Sequence, residues 1–212
     1  MKAFRKSGAY AGLVLIIAVF LLPFYIMFYL SLSGPADSIA QEWFPRAMLF
    51  QNFADAWSKA DMGRALMNSL MISIGAIAVL IFCAACGGYA AARVRSRWNR
   101  AVFHVMVLSM MVPGIINTVP LYIIMRKING INSHWAMMLL LACQCLPFSV
   151  FLYEGFIRSM NQSVEEAAVI DGCTKFSAFW RVTFPLLKPI TATVVIMQGV
   201  VDIAQVGVLL WD

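Results

Sequence analysis

Charge is scarce in this 212-residue chain: Asp, Glu, Lys and Arg together make up 12% of it, and histidine occurs twice. Ordinary soluble domains carry about 25% charged residues, so there is not enough polar surface here to cover a water-soluble globule. Catalytic and nucleotide-binding signatures are missing as well. The chain has no GxxxxGK[ST] phosphate loop, no HExxH and no Gly-x-Ser-x-Gly. Internal repeats and low-complexity tracts are not evident. Of the five cysteines, Cys83 and Cys86 have CxxC spacing, but they sit in an apolar run with no second pair and no nearby histidine. That context predicts packing and no metal or redox site. An intramembrane enzyme would need ligands or a nucleophile–base pair among the helices. His104 and His134, the only histidines, come with neither.

Apolar residues are what the chain has in quantity: 62% of it, with a mean hydropathy of +0.81. Disorder, a collagen-like fibre and a disulfide scaffold are excluded by the same figures. At about 20 residues per crossing, the composition predicts an all-α, polytopic transmembrane bundle. Lys2, Arg5 and Lys6 precede an uncharged run from Ser7 to Ala36, which is too long for a signal peptide and reads as an anchoring first span near Tyr10–Leu32. Further spans are predicted over Leu66–Ala92, Ala101–Met125 and Ser133–Tyr153, and a fifth apolar stretch begins at Pro189. Residues 1–9 form a short tail and residues 10–212 the membrane domain.

The net charge of +6 then follows from basic loops on one side of a bilayer and needs no nucleic-acid partner. Eleven Lys and Arg fall in the N-terminus, the loop Arg93–Arg100 and the loop after the fourth span, against five in the segments between. This asymmetry predicts a cytoplasmic N-terminus. Breakers and polar residues stand at membrane depth: Pro113-Gly114, Asn117, Thr118 and Pro120 in the third span, Gln144 and Pro147 in the fourth. Broken, polar helix segments are tolerated in lipid where protein or a water-filled cavity meets them. Asn117, Thr118 and Gln144 are therefore candidates for lining a path, with a packed kink as the alternative. Ala84, Gly88 and Ala92 form a small-residue stripe suited to close helix packing. Gly8 and Gly12 repeat its spacing in the first span.

One stretch departs from the apolar composition, the loop 158–189. Ser163 and Glu166 have capping-box spacing, which predicts a short helix over Val164–Asp171 with Val164, Ala167 and Ala168 along one face. Gly172 supplies the left-handed residue that ends it. Thr174 is placed to cap a second short helix bearing Phe176, Phe179 and Trp180, with Pro185 and Pro189 stopping it and returning the chain to the membrane. A short, half-apolar helix with Glu165, Glu166 and Asp171 suits a groove on a partner better than an anionic lipid surface.

Glu166-Ala167-Ala168-x-x-x-Gly172, followed after nine residues by Val182-x-Phe184-Pro185, resembles the EAA signature of ABC importer permeases. Glu165 through Gly172 is similar, more narrowly, to the carbohydrate-uptake, maltose-type branch. Asn68-Ser69-Leu70, Gly88-Tyr89-Ala90-Ala91-Ala92-Arg93, Val119-Pro120-Leu121-Tyr122 and Leu146-Pro147-Phe148 continue the likeness. The resemblance implies the type I importer permease fold in a bacterial inner membrane. It also implies a second permease subunit, two ATPase subunits that hold ATP and Mg, and an extracytoplasmic solute-binding protein. This chain would bind no cofactor and do no catalysis. Its coupling positions toward the ATPase would be Glu165, Glu166, Ala167, Ala168, Asp171, Gly172 and Pro185.

Two departures from the family pattern stand out. Asn161 replaces a common proline, so the turn into the coupling helix should differ. Beyond Gln198 the family's Trp-Asn stretch and sixth span are expected, and the chain instead reads through Asp202 and Gln205 to Asp212. That predicts a shortened or frameshifted end after about residue 198, and with it the alternative of a non-functional permease fragment. An ion site at Asp202 is a further reading.

Overall fold

The computed structural model describes residues 2–34, 44 and 47–209, and within them the side chains of 2–9, 11, 115 and 201–209 are not described. Asp202 and Gln205 therefore have backbone positions in a helix, but their side chains lie outside the described residues. Every regular element among the described residues is helical. The chain divides into two compact units, residues 1–64 and 65–212.

In the first unit, α1 (Lys2–Leu32) is a long apolar helix, and none of its Gly12–Leu32 window is buried. Nothing approaches Gly12 within 4 Å, so the small-residue spacing there serves no packing among the described residues. The helix end is held by α2 (Gln51–Lys59). Asn52 donates from Nδ2 to the carbonyls of Ser31 and Ser33 at 3.0 and 3.1 Å, and the Leu49 N–H donates to the Leu32 carbonyl at 3.0 Å. These bonds satisfy carbonyls that a helix C-terminus leaves unpaired.

In the second unit, α3 (Met62–Arg93, entering it at Ala65) packs on α6 (His134–Ser159). The predicted stripe makes the crossing. Ala84 and Ala85 are fully buried, and a Cβ on Gly88 would stand 2.5 Å from Tyr153 Cβ and 3.0 Å from the Glu154 nitrogen. Around this contact lies the main core, including Leu80, Val150, Tyr153, Ile157, Leu187 and Val194. Tyr153 Oη and Thr191 Oγ1 share a hydrogen bond of 2.8 Å within it.

The predicted third span is not one helix. It is α4 (Arg97–Ser109), a turn, a 3-10 segment (Gly114–Asn117) and α5 (Thr118–Lys127). Pro113 has no N–H to continue the ladder and pushes Val112 out of the helical region. The N–H groups of Met110, Met111 and Val112 accordingly bond three residues back. Pro147, by contrast, sits inside an unbroken α6. Three helices among the described residues are long and apolar enough to cross a membrane: Gly12–Leu32, Met62–Arg93 and His134–Ser159. A fourth is counted if α8 (Lys175–Leu186) and α9 (Lys188–Leu209), which meet at a 67° bend, form one span. The expected count of five includes the broken third run.

Candidate functional site

The loop that escapes the apolar composition folds as a compact, capped unit. After α6 the chain extends through Met160, and α7 (Ser163–Ile170) begins. The predicted capping box does not form, because Ser163 is already helical and its side chain makes no cap. Asn161 takes that place: its Oδ1 accepts the Ser163 N–H at 3.1 Å, and the Gln162 carbonyl accepts the N–H groups of Glu165 and Glu166. Asn competes well here because its short side chain reaches the backbone two residues on. Asn161, expected to alter the entry turn, is thus the residue that starts the helix.

The far end matches expectation. Gly172 has φ +92°, the Cys173 N–H donates to the Ala168 carbonyl at 3.0 Å, and the Gly172 N–H to the Val169 carbonyl at 3.1 Å. This is the Schellman arrangement, which needs a left-handed residue and so favours glycine. Thr174 then caps α8, accepting the Ser177 N–H at 3.2 Å. Within α8, Phe179–Thr183 forms a π-helical turn. Pro185 lies in its last exposed turn, beside Lys188 and Thr191 at the bend.

The faces of α7 differ from the predicted ones. Ala168 and Glu165 are buried, while Val164, Glu166, Ala167, Val169, Ile170 and Asp171 face outward. Val164, Ala167 and Ala168 therefore do not share a face: Ala168 packs inward and the other two are presented. Ile170 is 85% exposed, and Phe176 in α8 is 74% exposed. The result is an apolar surface edged by Glu166 and Asp171, the composition of a docking patch.

Glu165 belongs to the inward set. Its Oε1 accepts from Arg93 Nε at 3.1 Å and Arg93 Nη2 at 3.0 Å, and its Oε2 accepts from Tyr89 Oη at 3.2 Å. Arg93 Nη2 also donates to the Met160 carbonyl at 3.3 Å. The two charged side chains are only 13% and 11% exposed. Tyr89 and Arg93 stand four apart on α3 and so share a face. The Tyr89 ring also lies 4.8 Å from that of Phe179, and Trp180 stacks on Phe82 at 5.8 Å. Both halves of the loop are thereby fastened to the same helix. Sequence reasoning missed Tyr89 and Arg93 as site residues. The available signal was that they are the only polar side chains in Gly88–Arg93, placed four apart.

At the other end of α3 a cavity of about 850 Å³ opens, lined by Asn68, Thr118, Tyr122, His134 and Gln144 among others. Thr118 and Gln144 both line this cavity. Asn117 is not among the lining residues, and Asn68 was not foreseen.

Residues 84–206, a stretch that includes Tyr89, Arg93 and all of α7, match the family described as binding-protein-dependent transport system inner membrane component. The melibiose/raffinose/stachyose import permease protein MelC of Bacillus subtilis (strain 168) is 36% identical over 180 residues, covering 84% of this chain and 65% of that protein. The diacetylchitobiose uptake system permease protein DasC of Streptomyces coelicolor is 31% identical over 169 residues, covering 79% and 61%. The chain thus spans less than two thirds of the length of either relative. A solved bacterial ABC transporter involved in the import of the acidic polysaccharide alginate shares the fold, with a TM-score of 0.72 at 22% identity over 95% of this chain and 72% of that one. With the family model covering more than half of its residues, the chain belongs to the inner-membrane components of binding-protein-dependent transport systems.

Proposed function

We propose that this chain is a membrane-spanning permease subunit of an ABC importer that moves a sugar or related polar solute inward by ATP-driven alternating access. One observation carries the reading: α7 is capped at both ends and fastened inward through Glu165, and this leaves Glu166, Ala167 and Ile170 presented together. A rigid helix with an apolar, acid-edged outer face is suited to a cleft on an ATPase subunit. In this reading two ATPase subunits hold ATP and Mg, a second permease subunit completes the pore, and an extracytoplasmic protein delivers the solute. The N-terminus and the loop 158–189 face the cytoplasm, and the cavity bearing Asn68, Thr118 and Gln144 lies on the solute's path. The MelC and DasC names support an oligosaccharide as the cargo class.

The test is uptake of radiolabelled raffinose, melibiose and diacetylchitobiose by cells expressing the chain with its partner genes. Gly172→Pro, which cannot adopt φ +92°, and Glu166→Lys, which reverses an outward charge, should each abolish uptake and ATPase retention. Normal uptake in both variants removes α7 from the mechanism. No uptake of any oligosaccharide by the wild type overturns the assigned cargo class.

A further inference from the structure

The loop 160–187 shares the apolar core with both α3 and α6, but its side-chain hydrogen bonds and ring contacts to the spanning helices, among the described residues, go to one of them. Glu165 reaches Arg93 and Tyr89, Phe179 lies on Tyr89, Trp180 stacks on Phe82, and Arg93 holds the Met160 carbonyl. All three receiving side chains belong to α3. The same helix carries Asn68 and Ile72 in the cavity wall. From Asn68 to Arg93 it is unbroken, about 37 Å at 1.5 Å per residue. Gly88, with no room for a Cβ against Tyr153, presses α3 onto α6, the helix that contributes Gln144 to the same cavity. A stiff rod with one end in the cavity and the other clamped to a docking helix is a mechanical link.

We infer that α3 is the element through which movement of α7 reaches the cavity, and that the Arg93–Glu165–Tyr89 cluster is its joint. This rests on the permease reading above and assigns Glu165 a different role from Glu166. Glu166 faces the ATPase, whereas Glu165 is a positioning residue that converts a push on α7 into a displacement of α3. Two features suit the cluster to that task. The guanidinium places two donors on one carboxylate oxygen, which fixes direction as well as distance. Both partners are nearly buried, so water does not compete for the bond. An aliphatic contact in the same place would hold α7 near α3 but would allow it to slide.

The experiment uses the assembled transporter in lipid nanodiscs, with the five native cysteines replaced by alanine and Asn68→Cys as a reporter in the cavity. Its labelling rate by a membrane-impermeant maleimide is measured without nucleotide and after trapping with ATP and vanadate. The wild-type joint should give two different rates. Glu165→Gln keeps the size of the side chain, Arg93→Gln shortens it but leaves a polar amide, and both should retain the ATPase subunits on purification. The ratio of the two rates should fall by at least about fivefold in each variant, the lower end of usual site-to-site coupling. The exchanged pair Arg93→Glu with Glu165→Arg should recover it. Arg93→Lys, with charge but no fork, should lie between.

Unchanged ratios in both Gln variants overturn the inference, as does a wild-type ratio of one with the ATPase bound. Loss of ATPase retention in the Gln variants makes Glu165 a docking residue and overturns it too. Where the exchanged pair assembles without recovery, or fails to assemble while Arg93→Lys equals the wild type, the joint is not electrostatic and the inference falls. If the wild type itself retains no ATPase, it is the permease reading that fails, a result distinct from all of these.

Discussion

The two ends of α3 are built on opposite principles. At Tyr89 and Arg93 the polar side chains are paired, nearly buried and completed by the chain itself. At the other end, Asn68, Thr118 and Gln144 line an open cavity, and these three side chains make no hydrogen bond to other described residues. The first end is finished as a structure, and the second offers hydrogen-bonding groups to something that is not part of the chain. Stability should therefore concentrate at the Arg93 end and solute dependence at the cavity end, and substitutions can separate the two.

The largest effect is expected where a charge is left without its partner. Arg93→Ala or Glu165→Ala strands the other ion in a nearly buried setting, toward the lower end of the about 3–5 kcal/mol that breaking a buried pair costs. Thermal unfolding in detergent and hydrogen exchange at the α7 amides should both register it. The double substitution to alanine should cost less than the sum of the two singles, as for any pair in direct contact. Additivity would mean the two side chains stabilise the loop independently.

Next comes the crossing that supports the rod. Gly88→Ala puts a methyl against the backbone of Tyr153 and Glu154, where no side chain can swing away, and should cost about 1–3 kcal/mol. Gly155→Ala, the next residue on α6 and with nothing within 4 Å, should instead gain about 0.5–1 kcal/mol from helix propensity. Equal effects at the two glycines would show that the close approach at Gly88 does not constrain the helix pair.

Smaller still are the caps. Thr174→Ala and Asn161→Ala each remove an observed cap and should cost about 1 kcal/mol of loop stability. Ser163→Ala should stay within about 0.5 kcal/mol, because its side chain caps nothing. This set marks how much of the site could be read from residue order. Gly172 and Thr174 were legible because each acts on its own backbone within a few residues, and no distant partner can change the outcome. Ser163 was misread because Asn161, two residues earlier, accepts the Ser163 N–H and starts the helix sooner, which leaves the Glu166 N–H already bonded to the Gln162 carbonyl. Glu165 and Glu166 are chemically identical neighbours, and only the position of Arg93, over seventy residues away, decides which one turns inward. The three long apolar helices among the described residues were visible from composition. The break at Pro113-Gly114 was visible as a pair of breakers, but length alone still suggested a single span. The cavity wall gathers Asn68, Thr118 and Gln144 from three helices, and no local pattern announces such a meeting.

The smallest effect on folding is expected at that wall. Thr118→Val and Gln144→Ala remove groups that are already exposed and owe nothing to a protein partner, so stability should change by no more than about 0.5 kcal/mol. Transport should respond differently. A hydroxyl-rich solute crossing an apolar bilayer exchanges its water for whatever the wall offers. Each hydrogen bond lost is worth about 1 kcal/mol, close to a fivefold loss of apparent affinity in uptake. Leu139→Ala is the control, an exposed apolar residue of α6 outside the lining set. Lower uptake of raffinose by Gln144→Ala at wild-type stability, with Leu139→Ala unaffected, would place the cavity on the path. If Gln144→Ala and Thr118→Val take up solute as well as the wild type, these groups only solvate an idle pocket. The contrast between the two ends of α3 would then be one of packing alone.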